Sequence, residues 1–408
     1  MTEARRTIER VARASYGRLL ALIAARSRDI AAAEDALADA FRIAVESWPS
    51  RGVPTNPEAW LLTAAHNNLR HVWRRRKTQQ SAAETIALLY EEMRTMTPSL
   101  FPDERLKLLF ACAHPAIEEA VRTPLILQTV LGLDAARIAS AFLVAPAAMG
   151  QRLVRAKSKI RDAGIAFGVP ERSELPERLD AVLCAVYAAY GTGWDDALGA
   201  VAGNRDLGDE ALALGRMIVA LMPEEPEARG LLALMLHCEA RRPARRSADG
   251  AFVPLDEQDT ALWSRPMLSE AEGELTRAAQ AGSAGRFQLE AAIQSLHAQR
   301  RLLGAKPSGA LVHLYDRLVA HSPTIGALVA RAAAYADADD VATGLAQLDA
   351  LPAASVASYQ PFWATRAVLL ARSGDRQAAV AAYDRAIGLT EETAVHRFLS
   401  DRRDSLRS

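Results

Sequence analysis

The fold is decided in "LDAARIASAFLVAPAAMGQRLVRAKSKIRDAG", Leu133–Gly164. At helical spacing, Met149, Leu153, Ala156 and Ile160 form one apolar stripe. Arg152, Arg155 and Lys159 form a second stripe turned away from the first. From Met149 to Gly164 the cations are Arg152, Arg155, Lys157, Lys159 and Arg161, against a single acid, Asp162. A solvated helix face is the ordinary meaning of such a run, so its neighbours decide. "TPLILQTVLG" reads as a helix closed by Gly132, and Asp134 as the N-cap of "LDAARIASAF". After "LVA", Pro146 stands at the start of the charged helix, where a missing N–H is tolerated.

Helix, short turn, then a helix with an outward cationic face is the helix-turn-helix arrangement. The second helix of such a pair enters the major groove, where Gln bonds adenine and Arg bonds guanine or phosphate. Gln151 and Arg152 lie towards the N-terminal end, where base edges are reached. Arg155, Lys157 and Lys159 lie further along, where phosphates are met. A second basic patch, "HNNLRHVWRRRK" (His66–Lys77), interleaves Trp73 with Arg70, Arg74, Arg75 and Arg76. Leu62, Ala65, Leu69 and Val72 are its expected packing stripe. The amides of Asn67 and Asn68 could reach base edges, and Trp73 either packs in the core or stacks on an unpaired base.

The whole chain has 408 residues, half of them apolar, and zero formal net charge. That neutrality hides an asymmetry. Residues 1–170 carry 24 Lys+Arg against 17 Asp+Glu, and the remainder 25 against 32. Such a split suggests two jobs, the first with an anionic partner. Cys112, Cys184 and Cys238 are too few and too scattered for a disulfide framework, which points to a reducing cytoplasm. Cys112 and His114 lie close together, but no second Cys/His pair follows at zinc spacing, so a metal is not expected. No cofactor motif is visible. Arginines interrupt the first thirty residues, and no run of about twenty apolar residues occurs, so neither leader peptide nor membrane span is expected.

Ala- and Leu-rich helical periodicity runs almost throughout, so the expected class is all-α. The expected units are 1–77, a linker at 78–102, a second helical unit at 103–168, and a helical extension at 177–408. The extension repeats. "RAAAYADADDVATGLAQLDAL" from Arg331 is echoed 35 residues later by "RAVLLARSGDRQAAVAAYDRAI" from Arg366. That is the tetratricopeptide spacing, with two helices per unit. Stacked helix pairs make a surface suited to a protein partner or an intramolecular contact. Asp256, Glu257 and Asp259 read as a solvated or helix-capping cluster.

The acidic segment "AAAEDALADAFRIAVESW" (Ala31–Trp48) and "PEAWLLTAAHN" (Pro57–Asn67) resemble the extracytoplasmic-function sigma factors of bacterial RNA polymerase. "DERLKLLFACAHPAI" and "AFLVAPAAMGQRLVRAKSKIRDAGI" extend that resemblance. "PEEPEARGLLALMLHCEARRPAR" and "DEQDTALW" carry it into the subgroup with a fused tetratricopeptide-like extension. The resemblance implies that residues 1–77 are sigma region 2, with Glu34, Asp35 and Asp39 docking on core polymerase. It implies that Asn67, Asn68, Arg70, Trp73, Arg74 and Arg75 bind the minus-ten promoter element. Residues 103–168 are then sigma region 4, with Gln151, Arg152, Arg155, Lys157 and Lys159 at the minus-thirty-five element. The expected role is therefore promoter selection and not enzymatic catalysis. The residues alone also admit an operator-binding regulator with a repeat-type sensor, or a helical-repeat adaptor.

Overall fold

Capping residues and glycines set the helix ends. The computed structural model describes residues 3–27, 29–76, 104–142, 144–165, 170–195, 205–304 and 308–407. The protein is all-α; among the described residues the β-type pairing is an isolated bridge between Arg246 and Phe252. The expected linker at 78–102 lies outside the described residues. The chain divides into two compact units, Met1–Leu221 and Met222–Ser408. The division falls some forty-five residues beyond the boundary that the sequence suggests.

In the first unit, α1 (Glu3–Ser27), α2 (Ile30–Arg51) and α3 (Pro57–Arg76) pack on one another. Asp29 starts α2: its backbone is extended and its carboxylate accepts the Ala32 N–H at 3.0 Å. The stripe Ile30, Ala33, Leu37, Ala40, Ala44 and Trp48 is buried. Gly52, at φ 84°, ends the helix, and Asn56 caps the next through the Ala59 N–H at 3.1 Å. Trp48 meets Trp60 edge to face with ring centroids 5.4 Å apart. The buried stripe of α3 runs through Leu61, Ala65 and Leu69, with Leu62 only half-buried. Ala65 and Leu69 are buried as the sequence places them, while Leu61 takes the place expected of Leu62, because the two are adjacent and periodicity alone does not choose between them; the Val72 side chain lies outside the described residues.

The same unit continues with α4 (Glu104–Cys112), α5 (Glu119–Thr129), α6 (Ala135–Ala141) and α7 (Pro146–Asp162). It then takes in α8 (Leu175–Asp195) and α9 (Arg205–Leu221), which the sequence assigns to the extension. Buried Arg178 on α8 donates to the Phe110 carbonyl at 3.3 Å and pairs with Glu174 at 2.9 Å. Arg105 of α4 pairs with Glu210 of α9. The helix-turn-helix half therefore includes about fifty residues beyond its expected end at 168.

The second unit runs through α10 (Pro226–Ala240), α11 (Arg265–Ala279), α12 (Arg286–Leu303), α13 (Ser308–His321), α14 (Ile325–Asp337) and α15 (Val341–Asp349). It closes with the short α16 (Ala353–Val356), then α17 (Gln360–Ser373), α18 (Arg376–Gly388) and α19 (Thr393–Arg407). The 35-residue echo is structural. Asp340 and Asp375 cap α15 and α18 through the Thr343 and Ala378 N–H groups, each at 3.0 Å. The turns before them use left-handed backbone at Asp339 (φ 65°) and Gly374 (φ 91°). Leu348 and Tyr383 are buried at equivalent places. Arg–Asp contacts tie three of the later helices to the ones before them: Arg331 of α14 to Asp316 of α13, Arg366 of α17 to Asp349 of α15, and Arg403 of α19 to Asp384 of α18.

The segment between α10 and α11 reaches the last helix of this unit. Arg246 pairs with Glu392, Glu257 with Arg402, and Phe252 packs edge to face on Phe398 at 5.4 Å. Asp259 accepts the Ala261 N–H at 2.8 Å, which is the capping role expected of it.

Candidate nucleic-acid interface

The helix-turn-helix forms where local signals put it. Gly132 takes φ 66° and lets the chain leave α5, and Asp134 accepts the Ala136 and Arg137 N–H groups, both at 2.9 Å. Pro146 opens α7. Met149, Leu153, Ala156 and Ile160 are all buried, as the stripe requires. The remaining faces of α7 differ from one another. Arg152, Arg155 and Lys159 line one side of an open groove, with Ile117, Glu118 and Val121 on the other. Gln151 and Val154 project from the outer face, Val154 with 62% of its surface exposed.

Among the described residues, Arg152 and Lys159 enter no ion pair, and Arg155 only grazes its own helix at the Gln151 carbonyl, 3.4 Å away. Three cations held at one groove, against the one acid on its far wall, Glu118, can neutralise a row of phosphates. The apolar wall of Ile117 and Val121 was not singled out from sequence. No local signal could have found it, since it comes from the start of α5 and the turn before it, some thirty residues upstream.

Lys157 does not share this groove. It lies on the opposite flank of α7, where its ammonium pairs with Glu34 of α2, the side chains only 10% and 16% exposed. Burial pushes the Glu34 carboxyl above its ordinary range, against the opposing pull of Lys157, and Glu34 Oε1 is buried without a hydrogen-bond partner among the described residues. Neighbouring Tyr16 is pushed up by its own burial and then by the Glu34 charge. Thus Glu34, expected to face polymerase, and Lys157, expected to face DNA, face each other. The reason is their position: Glu34 falls beside the buried stripe of α2, and Lys157 beside that of α7.

The other acids of α2 stay outside. Asp35 and Asp39 are exposed, and Asp39 contacts Arg42 at 3.4 Å while Arg42 pairs with Glu46 at 2.9 Å. On α3, Asn67 and Arg70 are exposed, whereas Asn68 is half-buried with its Nδ2 enclosed and without a partner among the described residues. Asn68 is therefore turned from the face that Asn67 offers. Burial, then the Arg26 charge, pushes the His66 imidazole below its ordinary range. The α3 backbone continues to Arg76, but the side chains of Trp73, Arg74 and Arg75 lie outside the described residues.

The Cys112–His114 pair has ordinary structural work. Cys112 is a buried thiol against the Thr129 hydroxyl at 3.3 Å, pushed up to about 12 by burial. His114 Nδ1 accepts the Ala116 N–H at 3.0 Å in the turn. No helix among the described residues is long and apolar enough to cross a membrane.

Residues 178–279 match a family of unknown function, DUF6596, which on this chain runs from α8 through α11. The chain is 34% identical over 385 residues to an uncharacterized protein of Rhizobium meliloti (strain 1021), covering 93% of this chain and 91% of that protein. No solved structure matches it.

Proposed function

We propose a role for this chain, which belongs to the same family as that Rhizobium meliloti protein: it is a sigma factor of the extracytoplasmic-function type, acting in the cytoplasm. The observation that carries this reading is the groove beside α7, where Arg152, Arg155 and Lys159 stand together on the second helix of a helix-turn-helix whose first helix is capped by Asp134. In this reading α7 lies in the major groove of the minus-thirty-five element. Gln151 reads base edges, and Arg152 reads guanine or phosphate. The exposed end of α3, with Asn67 and Arg70, takes the minus-ten element, and the outer acids of α2, Asp35 and Asp39, meet a basic surface of core polymerase. The protein works by binding and placement, with no reaction of its own. Its second unit offers a helical surface to a protein partner that modulates it.

Reconstituted transcription with bacterial core polymerase on a genomic promoter library tests the reading. Promoter-specific initiation dependent on this chain supports it. Asp35→Arg should abolish co-purification with core polymerase while leaving the circular-dichroism spectrum unchanged. Salt-dependent duplex binding with no affinity for core polymerase would instead identify an operator-binding regulator.

A further inference from the structure

Helix α10 opens the second unit and is enclosed nearly all round: Ala228 and every residue from Gly230 to His237 are buried. Such a helix needs apolar side chains on each face, and Leu231, Leu232, Leu234, Met235 and Leu236 supply them. His237 breaks the pattern. Its imidazole is fully buried, and neither ring nitrogen has a hydrogen-bond partner among the described residues. A neutral imidazole carries one N–H donor and one acceptor, so both go unanswered at a cost in stability. A leucine would avoid that cost, and a local rule broken in a core marks a residue kept for another use.

One neighbouring atom gives the imidazole a partner once it is charged. Glu272 Oε1 of α11 lies 3.6 Å from His237 Nε2, too far for a hydrogen bond, while it accepts the Ser295 hydroxyl of α12 at 2.6 Å. Ser295 is itself buried and accepts the Gln299 side-chain amide at 3.2 Å. A single carboxylate oxygen thus stands between α10 and α12 and bonds the α12 side. The second charge bearing on His237 is Arg241, one turn along α10. Its guanidinium donates to the His237 carbonyl at 3.1 Å and to the Gln294 side chain of α12.

A proton on His237 changes this arrangement twice. It puts a charge inside the core beside Arg241, and it makes the imidazole compete with Ser295 for Glu272 Oε1. Burial, then the Arg241 charge, lowers the imidazole to about 4. Glu272, nearly half exposed, offsets little of this. We infer that His237, Glu272 and Ser295 form a proton-operated switch in the core of the second unit: neutral His237 leaves α11 tied to α12, and charged His237 breaks that tie and loosens the helical surface offered to a partner. The inference does not rest on the sigma-factor reading. The folded chain keeps the imidazole neutral more strongly than the unfolded chain does. Its contribution to stability is therefore complete above about pH 6.5 and is lost as the pH falls towards 4.

Hydrogen exchange on the full-length chain, corrected for the intrinsic rate at each pH, tests the switch. Between pH 7 and pH 5, protection of the α10–α12 amides should fall about twentyfold more in the parent than in His237→Leu. His237→Gln, uncharged at both pH values, takes its place if the leucine variant does not fold. Ser295→Ala leaves Glu272 free to receive charged His237, so it should shrink the fall. Glu272→Gln removes the acceptor of the charged ring and should keep the fall in full. A fall that persists undiminished in the His237 variants overturns the inference. So does one abolished by Glu272→Gln, which would put the titration on the carboxylate, and so does one that Ser295→Ala leaves unchanged. The imidazole resonance that disappears in the His237 variants should stay in its neutral position down to pH 5 in the parent, and titration of it at pH 6 or above would equally overturn the switch.

Discussion

The cations of α7 and the arginines of the second unit's repeats do opposite work. In the second unit, Arg331, Arg366 and Arg403 each reach back to an aspartate on an earlier helix, Asp316, Asp349 and Asp384. Their charges are spent inside the architecture, where they set the register between repeats. In the first unit, Arg152 and Lys159 on α7 enter no ion pair among the described residues, and Glu118, at the rim of the same groove, enters none with them. The difference separates a cation that belongs to the fold from one that is offered outward. It also gives meaning to the opposed charge of the two stretches of sequence: the positive excess of residues 1–170 lies partly on an open groove. Counting charged residues could not distinguish these uses, whereas asking what each guanidinium touches does.

Four substitutions sharpen or break that contrast. The largest effect is expected from Tyr383→Ala in the second unit, because Tyr383 is 5% exposed at the centre of a repeat contact. Emptying that space should lower unfolding stability by about 3–5 kcal/mol, read from denaturant melts. Arg152→Ala should leave stability within about 0.5 kcal/mol of the parent. It should nevertheless weaken binding to a minus-thirty-five duplex by about 1–3 kcal/mol and relax preference at one base position. A promoter panel read identically by mutant and parent would place Arg152 among the idle surface charges. Asp375→Ala removes the α18 cap and should cost about 1 kcal/mol, visible as a lower melting temperature with no change in DNA affinity. Arg366→Ala removes one repeat-to-repeat ion pair whose aspartate is more than half exposed, and should cost less than about 1 kcal/mol. A larger loss would mean that these pairs stabilise the stack as well as setting its register.

Local features were readable from the sequence. The α7 stripe, the Asp134 cap, the Gly132 turn and the 35-residue echo each depend on neighbours within one or two helical turns, or on self-similarity. Features that join distant segments were not readable. Nothing in "AAAEDALADA" shows that Glu34 turns inward while Asp35 stays outside, since both flank the same apolar stripe and the choice depends on α7 packing there. Gly17 carries no local signal; the need for a glycine there comes from a carbonyl 113 positions later. The proline-containing stretch "VPERSELP" lies between the expected units 103–168 and 177–408, but Arg178 beyond it is anchored on Phe110, so the packing runs past the punctuation. Composition marks where a chain can bend, not where one core stops.

The segment between α10 and α11 changes how the second unit should come apart. An open array of helix pairs frays from its last member, which has a neighbour on one side only. Here α19 is held on one side by α18 through Arg403 and Asp384, and on the other by Phe252, Arg246 and Glu257 from some 145 residues earlier. The last helix is thus held on two sides. Amides in α19 should then exchange only when the whole unit opens, with the same free energy as those of α12 near its middle. A protease that trims the ends of ordinary repeat arrays should find this one resistant until Phe252 or Glu392 is replaced.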